Sequence, residues 1–216
     1  MHLPGTGLAG GVLHDMSAAN YGDQPAAFGF LCAWIASALK TRTGPAVLIT
    51  TRRALADLGQ PYGPGLRQLG LDTSRLLIVE TRNDKDAFWA AEEALRSEAR
   101  PSVIAGVTSR EIGLTASRRL NLAAAEFNTP LVSLHGPGPP ELNAAATRWR
   151  IAAAAPVRDR FGALTDWRWH VTLERCRNGR PGAWLIEWCH VTHRFRLAES
   201  MADRPPVAGA GLLRAV

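Results

Sequence analysis

Residues 3–39, LPGTGLAGGVLHDMSAANYGDQPAAFGFLCAWIASAL, decide how the rest of the chain is read. A Gly-rich entry leads into the short apolar strand Val12-Leu13-His14-Asp15-Met16. A loop follows, then a helix from Pro25 to Lys40 with Pro in its first turn and Ala27, Leu31, Trp34, Ile35, Ala38 and Leu39 on one face. Strand, loop and helix in this order build phosphate-cradling loops. There the pattern Gly-x-x-x-x-Gly-Lys-Ser/Thr sets a lysine beside the β- and γ-phosphates and a hydroxyl on Mg²⁺. The loop here, Ser17-Ala18-Ala19-Asn20-Tyr21-Gly22-Asp23-Gln24-Pro25, has no lysine, and Asp23 stands where a cation is needed. Ser17, Gly22, Asp23 and Gln24 therefore read as a degenerate phosphate loop. Lys40-Thr41 has the right dipeptide at the wrong end, because a helix C-terminus repels anions. The expectation is a nucleotide-hydrolase scaffold that hydrolyses nothing, with no cofactor and no metal.

Outward from this unit the chain keeps a strand–helix rhythm. Ala46–Thr50 and Leu76–Glu80 are continuous apolar runs, which predict strands buried on both faces. Between them lie a short helix around Arg53–Leu58 and a Pro/Gly-rich turn, Pro61-Tyr62-Gly63-Pro64-Gly65. Asn83 or Asp84 caps a helix to about Ser97 with Phe88, Ala91 and Leu95 inward, followed by the strand Val103–Val107. Thr115 to about Asn128 is the next helix, with Leu120, Ala123, Ala124 and Phe127 at core spacing and Arg118-Arg119 toward solvent; Pro130 then restarts strand Leu131–Leu134. After Gly136-Pro137-Gly138-Pro139-Pro140 the pattern becomes alternating and β-rich over Thr147–Ala153, Trp167–Arg175, Ala183–Trp188 and Arg194–Leu197, with a turn at Asn178-Gly179. The prediction is an α/β fold: a mostly parallel twisted sheet flanked by helices, with a C-terminal antiparallel hairpin extension. Residues 1–199 form one domain, and 200–216 a flexible or partner-ordered tail.

Composition agrees with a globular protein: 216 residues suit one full α/β core, and the chain is 46% hydrophobic and 20% charged. Without a bilayer-length apolar run or a signal-peptide pattern, a cytoplasmic location is expected. Cys32, Cys176 and Cys189 make no paired framework and read as reduced thiols. The net charge of +6 comes almost entirely from arginine, which suits phosphate or carboxylate contacts but also follows from base composition.

Several strings carry a resemblance. Parallel strands ending in an antiparallel hairpin resemble the RecA-like core, and Leu69-Gly70-Leu71-Asp72 through Leu76-Leu77 is similar to a link in RecA. In full order, LPGTGLAGGVLHD, YGPGLRQLGLD, LTASRRLNLAAAE, ATRWRIA and RCRNGRPGAWLIEW followed by THRFRL resemble the ImuA family from about Leu3 to Leu197. The resemblance implies an accessory protein of SOS-induced translesion synthesis. Its partners would be an ImuB-type Y-family polymerase homologue, RecA and, indirectly, an error-prone replicative-type polymerase, with recruitment to the nucleoid on damage. A SulA-like inhibitor of the division protein FtsZ and a divergent RecA-type ATPase are the alternatives; the hairpin Arg177–Gly182 argues against the first.

The residues argue against the second. A RecA-type ATPase needs the loop lysine, an acid at a strand end for Mg²⁺ and a glutamate for the attacking water. Here Val103–Val107 runs into Thr108-Ser109, and Ala46–Thr50 into Thr51-Arg52-Arg53. The hairpin arginines Arg175, Arg177 and Arg180 have two readings: a finger reaching a neighbouring subunit's nucleotide site, or cations solvating a turn. Arg118, Arg119, Arg148 and Arg150 are the candidate DNA contacts. The short segments Thr108–Leu114 and Gly136–Glu141 disfavour wrapping a strand, and the alternation in Arg148-Trp149-Arg150 and Trp167-Arg168-Trp169 more often puts Trp in the core and Arg in solvent. A zinc site from Cys176, Cys189, His190 and His193 matches no common spacing. Ser133, His135 and Asp166 lack the nucleophile elbow of a hydrolase.

Overall fold

A computed structural model describes residues 10–156, 158, 160–162, 165–177 and 179–200; the start of the Gly-rich entry, Asn178 of the turn and the tail from 201 onward lie outside the described residues. Strand β1 (Leu13–Ala18) leads through a 3₁₀ turn (Tyr21–Asp23) into α1 (Gln24–Thr41). Then come β2 (Ala46–Thr51), α2 (Arg52–Leu58), α3 (Gly63–Gln68), β3 (Leu76–Thr81), α4 (Asp84–Arg96), β4 (Val103–Val107), α5 (Leu114–Glu126) and β5 (Leu131–His135). β6 (Thr147–Ala153), β7 (Asp166–Cys176), β8 (Gly182–Cys189) and β9 (Arg194–Ser200) follow. All nine strands join one sheet in the order β3-β2-β4-β5-β1-β6-β7-β8-β9. β6 still runs parallel to β1, and the antiparallel ladder begins only at β7. This is the mostly parallel, helix-flanked sheet with an antiparallel extension, consistent with a RecA-like core.

Strand alternation splits the core into two layers. Met16, Leu48, Ala105, Val132, Trp149 and Val171 face α1, whereas Leu13, Ile49, Ile104 and Leu131 face α4 and α5. The Asn83 carboxamide caps α4 by accepting the Asp86 N–H at 2.9 Å, as its sequence predicts. On the α1 side, Phe30 packs against Trp169 and Phe195 at centroid distances of 5.4 and 5.2 Å, and Trp188 meets Phe195 at 4.7 Å. Trp169 Nε1 donates to the Ala26 carbonyl at 2.9 Å, and Lys40 Nζ donates to the carbonyls of Thr192 and His193 between β8 and β9. Helix α1 thus ties the antiparallel extension to the parallel half.

Four local expectations are corrected. α1 is not one-sided: Phe30 through Ile35 are all buried, in one apolar cluster that also holds Leu66, Leu69 and Leu71. Those leucines belong to or follow α3, which occupies the segment expected to be a plain turn. β3 is an edge strand rather than a buried one, with Leu77 56% and Ile78 42% exposed. Phe127 ends α5 as its C-cap and is 40% exposed, outside the core.

The α1–β2 connection is welded by backbone acceptors. Arg75 donates to the carbonyls of Leu39, Arg42 and Gly44 at 2.9, 2.6 and 2.6 Å, and Ser102 Oγ donates to the Gly44 carbonyl at 2.6 Å. Burial pushes the Cys32 thiol of α1 up to about 12, which keeps it protonated and unreactive. Among the described residues no helix is long and apolar enough to cross a membrane.

Candidate functional site

The C-terminal ends of β1, β2, β4 and β5 enclose a cleft of about 120 Å³ at the switch point where strand order reverses, the place open α/β sheets use for ligands. Tyr21, Gln24, Arg53, Asp57, Ser109 and His135 are among the residues lining it. Tyr21 and Gln24, at the junction of β1 and α1, stand at its rim. Asp23 accepts the Ala153 N–H at 2.9 Å and the Asn20 amide at 3.1 Å, so its carboxylate joins the start of α1 to the end of β6. Ser17 is buried and donates to the Trp149 carbonyl. Gly22 has an ordinary backbone conformation with open space where a Cβ would lie, and Gln24 is the first residue of α1.

On the opposite side of the sheet, His135 enters a second arrangement that the motifs did not reveal. Asp15 in β1 is 1% exposed, mid-strand between His14 and Met16. Arg148 Nε of β6 donates to Asp15 Oδ2 at 2.9 Å, and its Nη2 pairs with Glu111 Oε1 in the loop after β4. Asn143, from the loop after β5, donates to Asp15 Oδ2 at 3.0 Å and to Glu111 Oε1 at 2.7 Å. Glu111 Oε2 accepts the Glu141 N–H at 2.8 Å, and Arg175 Nη2 of β7 donates to Asn143 Oδ1 at 2.7 Å. His135 Nε2 lies 3.2 Å from Asp15 Oδ1 on this face. The loops after β4 and β5, which would have to move to envelop a nucleic acid strand, are therefore knotted to each other and to three strands.

Most of the arginines singled out by pattern are engaged within the chain, two of them in this arrangement. Arg148 is 12% exposed and spent on two carboxylates, Arg175 holds Asn143, and Arg177 donates to the Ala144 carbonyl at 3.2 Å. Arg150 pairs with Glu174, and Arg119 with the buried Glu92 of α4. Arg118 and Arg180 point to solvent. The Trp reading of the alternation holds for Trp149 and Trp169, which are buried, and less for Trp167, which is 39% exposed.

Burial pushes the Asp15 carboxyl upward, but the facing His135 ring, Asn143 amide and Arg148 guanidinium outweigh it and hold the group below the ordinary 3.8. Burial likewise pushes His135 down, and Asp15, the Gly136 carbonyl and Glu111 outweigh it, so the imidazole titrates above 6.5. The Asp15 contribution to stability is thus present above 3.8 and lost as pH falls through its lowered native value. The His135 contribution is complete below 6.5 and lost as pH rises through its raised native value. Thermal melts in chelator-treated buffer should show a lower midpoint at about pH 9 than at about pH 6, with the difference shrinking in His135→Gln; equal shifts in the two proteins would refute the assignment.

No protein-family model matches the chain. It is similar to the proteins named Protein ImuA from two strains of Caulobacter vibrioides, each 37% identical over 225 residues that cover 95% of this chain and 88% of the relative.

Proposed function

The chain belongs to the ImuA family, and from that premise we propose that it is a non-catalytic RecA-like accessory protein of translesion mutagenesis, acting through partner contact in the cytoplasm. The observation that carries this reading is the junction of β1 and α1. Where a phosphate loop keeps a lysine, Asp23 is engaged with the backbone of β6, and its negative charge would repel a triphosphate. The partners are an ImuB-type polymerase homologue and RecA, with the error-prone polymerase reached indirectly. Direct DNA binding is weak or absent, in keeping with the knotted loops and the engaged Arg148 and Arg150.

Two measurements test the two halves of this reading. Calorimetric titration with ATP and Mg²⁺ should give no binding heat; saturable heat, or phosphate release above a blank, would refute the non-catalytic half. Arg177 is engaged with its own chain, so Arg180 is the cleaner probe of the hairpin. Arg180→Glu should weaken capture by the ImuB-type homologue or by RecA at least about 5-fold, and unchanged affinity for both would remove the hairpin from the contact.

A further inference from the structure

Three buried polar atoms on one face of the sheet lack a hydrogen-bond partner among the described residues: Asp15 Oδ1, Ser133 Oγ and His135 Nε2. Buried polar groups are nearly always satisfied, so three together call for an occupant. Asp15 and Ser133 are direct neighbours in the parallel register of β1 and β5, and Ser133 is the neighbour of Gly106 in β4. Gly106 supplies the room. It is only half-buried, and a Cβ there would meet nothing nearer than the Val132 carbonyl oxygen at 3.9 Å.

The histidine is set up to coordinate. Its Nδ1 lies 2.7 Å from the Gly136 carbonyl oxygen, which can only accept, so Nδ1 carries a proton and Nε2 is the ring atom turned toward Asp15. Nε2 and Asp15 Oδ1 are 3.2 Å apart, an ion-pair contact whose separation two ligands of one metal ion also adopt. The ligand atoms of Asp15, Glu111 and His135 all lie within 4.8 Å of one another. Arg148 pairs with Asp15 Oδ2 and Glu111 Oε1 and offsets one of the two carboxylates, while Glu111 Oε2 accepts the Glu141 N–H. One net negative charge and an imidazole suit a borderline ion of the Zn²⁺ class rather than Ca²⁺ or Mg²⁺, which need several anionic oxygens or waters.

We propose that Asp15, Glu111, Ser133 and His135, around the space beside Gly106, bind one divalent transition-metal ion of the zinc class, which fastens the loops after β4 and β5 to the sheet. The ion takes the Nε2 lone pair, and any proton held there leaves to solvent.

The test is Zn²⁺ titration of the full chain, after chelator treatment and buffer exchange, against a chromophoric competitor, with Co²⁺ absorption as a second readout. The expected result is one equivalent per chain, weakened at least about 10-fold in His135→Gln. Because that variant removes a buried group, Gly106→Ala is run beside it. The added methyl fits the fold, keeps every donor and narrows the space, so it too should weaken binding. No bound equivalent in the wild type, or an affinity unchanged in Gly106→Ala and in any His135→Gln protein that folds, would overturn the site and place any bound metal elsewhere, such as around Cys189 and His190.

Discussion

Arg148→Ala is expected to lose about 3–5 kcal/mol of folding stability, read as a lower denaturant midpoint by tryptophan fluorescence. The guanidinium is 12% exposed, while the side chains of Asp15 and Glu111 are 2% and 6% exposed, so its removal leaves two carboxylates facing each other with little water to separate them. The Glu141 carbonyl loses its donor as well. A charge-neutral repair discriminates this cause from lost packing. Adding Asp15→Asn to Arg148→Met should recover part of the loss, because the stranded charge is removed along with its partner. A loss below about 1 kcal/mol in Arg148→Ala would show that the carboxylates do not depend on it. The same variant should make residues 108–113 and 136–146 more sensitive to limited proteolysis, since Arg148 is the cation that joins the two loops.

Gly44→Ala should cost about 3 kcal/mol, checked by the same melt. Its Cβ would come well within 3.0 Å of the Arg100 carbonyl oxygen and 3.1 Å from the Ser102 nitrogen. Neither neighbour is a side-chain tip that can swing away. Ser102 N donates to the Pro45 carbonyl at 2.7 Å, its hydroxyl donates to the Gly44 carbonyl, and Arg75 anchors the same carbonyl from a third direction. Relief would break several of these bonds at once. Gly106→Ala is the internal comparison: the same added methyl meets ordinary space there and should change stability by less than about 1 kcal/mol. Similar losses at the two positions would refute the backbone-clash account.

The strand–helix rhythm was legible because continuous apolar runs, the Asn83 cap and the Pro/Gly breaks at 136–140 are local signals. Strand position was not. Leu76-Leu77-Ile78-Val79 has the same composition as a central strand, and its edge place follows only from the sheet order β3-β2-β4. α3 was hidden for a related reason. Pro64 and Gly65 read as breakers, yet proline is tolerated in a helix's first turn, and burial of Leu66 in the α1-side core cluster outweighs the poor propensity.

The polar knot was invisible to motif reading because its members come from six separate segments, with Asp15 and Arg148 standing 133 residues apart. One signal was present. An aspartate inside Val12-Leu13-His14-Asp15-Met16, a strand apolar enough to be central, implies a buried charge and hence a buried cation elsewhere in the chain. The alternation around Trp149 offered that cation, but period-2 reasoning assigns the arginines to solvent. Here the second face of β6 is covered by the loops carrying Glu111 and Asn143, so Arg148 is interior on the side where the pattern implies water.

The aromatic wedge of Phe30, Trp169, Trp188 and Phe195 has a consequence for dissection of the protein. One of its four rings belongs to a helix made early in the chain and three to strands made last. A fragment ending after residue 153 would leave the inner flank of α1 bare and greasy, with the Ala26 carbonyl and Lys40 deprived of their mates. A nascent chain on the ribosome faces the same predicament until β9 emerges, so the scaffold matures in one late step instead of piecewise.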